Sequence, residues 1–171
     1  MDAVQAFANE ARRFEQWARL GTDSEETGAR EALTRVLRLY GAALELPPPW
    51  SEGPNTDEPE RVDHSEWQAV AAAVSRLPLN YYGELSDPLP VPPGQPGIGS
   101  LVDDLADIYR DVVTGLRLYD AGRNGEAVWQ WAFNFRVHWG DHATGAIRAL
   151  HCWLAVGALG SLGTRPNTVA R

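Results

Sequence analysis

An all-α fold, an antiparallel up-and-down helical bundle of about five to six helices with one long Pro/Gly-rich loop, follows from three features of this sequence. Apolar residues recur at three- and four-residue steps over most of its 171 residues. The gaps between those runs carry the chemistry of helix ends, with Asp or Ser ahead of a run and Gly or Pro behind it. All prolines except Pro166 fall between Pro47 and Pro96, in the stretches that separate the periodic runs.

The first run spans about Asp2 to Leu20, with Val4, Phe7, Ala11, Phe14 and Trp17/Ala18 on one face and Gly21 as its stop. A second opens at Ser24 to Glu26 and continues through Leu33, Val36, Leu37 and Tyr40 until Gly41 and the Pro47-Pro48-Pro49 block. These prolines lack the N–H groups that a helix interior needs. The short link makes these two helices antiparallel neighbours. "PPPWSEGPNTDEPERVDHSEW" then reads as an irregular acidic link in which Trp50 either closes over the core or is a loop aromatic. Asp63 with Glu66 three residues on forms a capping box, with Val62 as its hydrophobic staple, for a third helix through Trp67, Val70, Ala73 and Val74 that Pro78 ends.

From Leu79 to Gly99, "LNYYGELSDPLPVPPGQPGIG" holds too much Pro and Gly to be a helix and is long for an inert connection. Tyr81 and Tyr82 either anchor this loop on the bundle or line a pocket. Ser100 caps the fourth helix, Asp103 standing where a capping box has Glu. Leu101, Leu105, Ile108, Val112 and Tyr119 share one direction, and Val102, Ala106, Tyr109 and Val113 widen that stripe enough to meet at least two neighbours. After a turn bracketed by Gly122 and Gly125 comes a long Trp-rich helix, broken or bent near Gly140. "LRLYDAGRNGEAVWQWAF" resembles the helix-turn-helix of one tetratricopeptide unit, but a solenoid needs about three units. One domain therefore spans residues 1–171, with a disordered tail from about residue 162.

A formal charge of -8, with every basic side chain other than histidine an arginine, makes a phosphate backbone a poor partner, so no nucleic acid is expected. The longest apolar run, "CWLAVGALG", falls well short of the roughly 20 residues that cross hydrocarbon, so no membrane is expected and a cytoplasmic location follows. Seven Trp, five Tyr and four Phe supply a core without a disulfide, which the single Cys152 could not form within the chain. Cys152 reads as a small core residue and His151 as a satisfied core polar group.

Two constellations carry potential chemistry. "SLVDDLADIYRDVVTGLRLYD" gathers Asp104, Asp107 and Asp111 on a narrow polar arc, with Asp103 at its margin. Such carboxylates could hold a hard divalent cation, or simply form a wet face, with Arg110 offsetting part of their charge. In "FRVHWGDHATGAIRAL", His138 and His142 lie one turn apart, the spacing by which a helix presents two imidazoles to zinc, although "HWGDH" lacks the Glu of "HExxH". Pairing of a histidine with Asp104 or Asp107 of the preceding helix would join the two elements without a metal. Asp104, Asp107, His138 and His142 are thus the candidate metal residues, and Tyr81, Tyr82, Trp131 and His138 the candidate ligand pocket. No phosphate-cradling loop, serine elbow or Cys/His nucleophilic pair is present, so catalytic residues stay unassigned and no cofactor other than a divalent metal is suggested.

The stretch "LVDDLADIYRDVVTGLRLYDAGRNGEAVWQWAFNFRVHWGDHATGAIRALH", with "NYYGELSDP" before it, is similar to the signature of a family of small bacterial helical domains of unknown function (number 5063). The resemblance covers most of the chain and is distinctive over residues 80–151. It implies a helical bundle and brings no activity. It also implies that Tyr81, Tyr82, Asp103, Asp104, Asp107, Asp111, Trp131, His138, Trp139, Gly140 and His142 converge, whether on a shared site or in the packing of two helices under a loop.

Three functions fit. A non-catalytic interaction or accessory module, a homodimer or one docked on a protein partner, makes the fewest demands and calls for an exposed apolar patch. A metal-dependent hydrolase would use the Asp/His set between two long helices. A small-molecule-binding bundle would use the aromatic wall.

Overall fold

The computed structural model describes residues 2–21, 25–49, 61–85 and 87–161. The molecule is a bundle of helices: α1 (Ala3–Leu20), α2 (Glu25–Leu44), α3 (His64–Val74), α4 (Leu101–Asp120), α5 (Asn124–Asn134) and α6 (Gly140–Ser161). A single π turn, Phe135–Trp139, joins α5 to α6. The helix ends follow the sequence: the Asp2 side chain accepts from the Gln5 amide, Asp63 from Glu66, and Ser100 from Asp103. Gly21 ends α1 at φ 65°. Glu66 completes no reciprocal box, because its carboxylate is taken by Arg19, Tyr109 and Arg117 instead.

Helix α4 is the central element, packed against α1, α3, α5 and α6. Its broad apolar stripe is buried from Leu101 to Leu118, as expected of a helix with more than one neighbour. Its partners run against it. Gln5 meets Tyr119 while Arg19 meets Tyr109, and Val62 meets Thr114 while Trp67 meets Asp107. The largest side chains fill the middle: the wholly buried Trp131 packs on Phe7 at 4.7 Å and Tyr119 at 5.7 Å between ring centroids, and donates from Nε1 to the Val112 carbonyl at 2.9 Å. A bulky indole fits so close to α4 only because residue 115 is glycine; a Cβ there would lie 2.2 Å from Trp131 Nε1.

Several sequence expectations are corrected. The helical bundle holds, and it also carries a short ribbon. The two ends of the Pro/Gly-rich stretch pair as an antiparallel ribbon, β1 (Tyr81–Glu84) with β2 (Gly97–Ser100), in the register Tyr82↔Gly99. Alternation along β1 turns Tyr82 inward and leaves Tyr81 73% exposed. Helix α2 ends at Leu44, between Gly41 and the proline block as expected. Gly125 lies inside α5 rather than in the turn. Cys152 and His151 are exposed on α6, not in the core, because the buried side of that helix is carried by Ala143, Ala146, Ala149 and Leu150. Trp50 and the tail from about residue 162 lie outside the described residues. Among the described residues, no helix is long and apolar enough to cross a membrane.

Candidate metal centre

The polar strip of α4 and the start of α6 face each other, and their register sets the site. Asp111 stands opposite His138 and Asp104 opposite His142, as two helices running in opposite directions require. His138 belongs to the π turn, a wider coil that is frequent at functional positions. Gly140 permits this turn: a Cβ there would sit 2.1 Å from the Phe135 carbonyl oxygen.

Both imidazoles are held through the same atom. His138 Nδ1 lies 2.6 Å from Asp111 Oδ2, and His142 Nδ1 lies 2.9 Å from Asp104 Oδ1. A carboxylate on Nδ1 fixes the tautomer with its proton there and leaves the Nε2 lone pair available. His142 Nε2 points at Asp107, 3.7 Å from Oδ2, and the two rings meet edge to face at 4.8 Å. Asp107, His138 and His142 can therefore each offer one ligand atom, all within 4.8 Å of one another. The other Asp107 oxygen, Oδ1, is occupied by the Trp67 Nε1–H at 2.8 Å and by Arg110 at 3.1 Å.

Behind this set, Asp104 is only 5% exposed and its Oδ2 accepts the Tyr82 hydroxyl at 2.6 Å. Tyr82 is seated between two glycines. A Cβ on Gly99 would come within 2.4 Å of its ring, and one on Gly145 within 2.3 Å of its hydroxyl. The ribbon thus lies against α6 where Gly145 gives the helix no side chain.

The surroundings move the titrating groups in definite directions. The hydrogen bond to Asp104 raises the His142 pKa against the opposing effect of burial, with Asp107 and Asp141 adding to the rise. Burial raises the Asp111 carboxyl although His138 and Arg110 pull it down. Burial, then the bond to Asp104, pushes the Tyr82 phenol far above its ordinary value, so it is a fixed donor. Glu84 at the rim is raised by burial and by the charges of Asp104 and Asp141.

Of the four residues expected to bind metal, three come together with atoms that could be offered to a cation; Asp104 instead stands behind His142. The expected aromatic pocket is not assembled. Tyr81 and Tyr82 line a groove of about 470 Å³ with Trp153 and Arg148, but Trp131 is core and His138 faces α4. Sequence reasoning assigned no role to Trp67 or Glu84. Asp111 was visible on the polar arc, and its partnership with His138 follows from the antiparallel register once α4 and α6 are paired.

The family described as "Domain of unknown function (DUF5063)" matches residues 1–156. No curated protein matches the chain. Among solved structures, the chain is similar to the protein BF1032 from Bacteroides fragilis, with a TM-score of 0.72 at 22% identity over 90% of this chain and 96% of that one. At that identity the likeness shows the fold.

Proposed function

We propose that this chain, which belongs to the DUF5063 family of domains of unknown function, holds one divalent transition-metal cation on Asp107, His138 and His142 and uses it in a hydrolytic reaction. The observation that carries this reading is the pair of carboxylate-oriented imidazoles with Asp107 between them. Two nitrogens and one carboxylate oxygen suit zinc and its first-row neighbours rather than magnesium or calcium, which prefer oxygen throughout. Three protein ligands leave coordination positions for water, the composition of catalytic rather than structural sites. A cation so held supplies Lewis acidity and a water acidified toward neutral pH. The chain supplies the rest. Asp111 and Asp104 fix the rings, and Trp67 and Arg110 hold Asp107 by one oxygen; with the cation bound, the OH of water would go to the electrophile and its proton to the leaving atom.

Metal analysis of protein purified without chelator or affinity tag tests the reading directly. One cation per chain is expected, lost in both Asp107→Ala and His138→Ala. Chelator-sensitive cleavage of 4-nitrophenyl esters by the loaded protein tests the hydrolytic step. A wild-type chain that takes up no zinc, manganese or cobalt on titration overturns it.

One observation favours a second reading, an interaction module. Tyr81 and Ile98, on the outward face of the ribbon, and Leu89 and Val91 in its connecting loop are all more than 70% exposed. Light scattering that finds a dimer in the wild type and a monomer in Tyr81→Ser/Ile98→Ser would support it.

A further inference from the structure

Beside the Asp107, His138, His142 set lies a cleft of about 290 Å³ between α4, α5 and the chain entering α3. It shares two residues with the metal centre. Asp111, the partner of His138, forms part of its wall, and so does Arg110, whose guanidinium reaches Asp107 Oδ1. Along α4 the strip Asp107, Arg110, Asp111, Thr114 runs on one helix face, so the cleft begins about one turn beyond the metal ligands. Arg61 brings a second guanidinium, and Trp129, stacked on Phe133 at 4.6 Å and 9°, supplies a flat aromatic wall.

We propose that this cleft is the substrate's half of the site and that it takes a small phosphate monoester, the phosphoryl group lying between the cation and Arg110 and the ester group lying along Trp129. The inference rests on the metal reading above. Charge favours it. A divalent cation and Arg110 offset the charge of Asp107 and Asp111, and Arg61 brings a second guanidinium to the same cleft. Guanidinium groups pair with phosphate oxygens in a two-pronged geometry. The cleft volume suits a small organic ester, and a chain of formal charge -8 is a poor surface for a polyphosphate strand.

Calorimetry on the zinc-loaded full chain separates the two claims. Inorganic phosphate and phenyl phosphate are expected to bind, acetate much more weakly. With zinc held at saturation for each protein, Arg110→Gln should bind both phosphates about tenfold less tightly or worse, the loss of a charge-assisted hydrogen bond. Trp129→Leu should weaken phenyl phosphate and leave inorganic phosphate unchanged. Zinc binding with no phosphate binding, or phosphate no better than acetate, overturns this proposal and leaves the metal reading standing. Absence of zinc binding overturns both.

Discussion

His142 Nδ1 lies 2.9 Å from one oxygen of Asp104, and the other oxygen of that nearly buried carboxylate accepts the Tyr82 hydroxyl at 2.6 Å. The ribbon therefore fixes a histidine on α6 through an acid on α4. The Asp104 carboxylate orients the ring and raises its pKa. Asp104→Asn keeps the shape and removes the charge. Zinc affinity is expected to fall about ten- to a hundredfold, the usual effect of losing a carboxylate behind a ligating imidazole, while the circular dichroism spectrum stays that of the wild type. Unchanged zinc affinity would reduce Asp104 to an anchor for the ribbon.

Gly145 gives a test of the Tyr82 seat that needs no metal. An alanine Cβ at this position would stand 2.3 Å from the Tyr82 hydroxyl but 3.3 Å from the ring carbon that bears it. Gly145→Ala should destabilise the fold by about 1–3 kcal/mol in urea titration, the range for overpacking. Tyr82→Phe alone leaves Asp104 Oδ2 without its donor and should also cost about 1–3 kcal/mol. In the double variant the clash is relieved, so its cost should be clearly less than the sum. Additive losses would place the strain of Gly145→Ala elsewhere.

Glu66, on α3, gives the bundle a pH dependence separate from the Asp/His cluster. Burial raises its pKa, but hydrogen bonds from Tyr109, Arg117 and Arg19 outweigh that and leave it below the ordinary value. A carboxyl lowered on folding contributes stability above its unfolded pKa, about 4.3, and loses it as pH falls through the folded value. Glu66→Gln should therefore be much less stable than wild type near neutrality, and the gap should narrow steadily below about pH 4. Urea midpoints measured from neutral pH downward check this; a gap that is constant with pH would mean that Glu66 contributes by packing alone.

Much of this fold is legible in the sequence because helix ends and apolar periodicity are local. Asp2, Asp63 and Ser100 announce their helices by side chains that bond amides three residues away. The ribbon is not legible in that way. Tyr81 to Glu84 is four residues long, and its partner Gly97–Ser100 is rich in glycine, so neither strand carries a pattern until the other is beside it. Cys152 and His151 misled for a related reason. Their neighbours are apolar in sequence, but α6 buries a narrow alanine face and turns these two outward. At the site, the one-turn spacing of His138 and His142 could be read directly, whereas the division of labour between Asp104 and Asp107 depends on the register of α4 against α6, a tertiary quantity.

Two glycines at the ends of one helix should respond in opposite ways. Gly140 opens α6 where the π turn closes, and a Cβ there would press on the Phe135 carbonyl at 2.1 Å, a backbone atom that cannot rotate aside. Gly140→Ala should cost at least about 1–3 kcal/mol and, by displacing the turn that carries His138, abolish stoichiometric zinc binding. Gly157 sits near the other end of α6, exposed, with nothing within 4 Å of the added carbon. There the same substitution only removes freedom from the unfolded chain, so stability should rise by up to about 1 kcal/mol and zinc binding should not change. Denaturation and zinc titration of the two variants side by side distinguish a π turn that holds the ligand in place from a helix that merely tolerates an irregularity: in the second case Gly140→Ala would lose stability and keep its zinc.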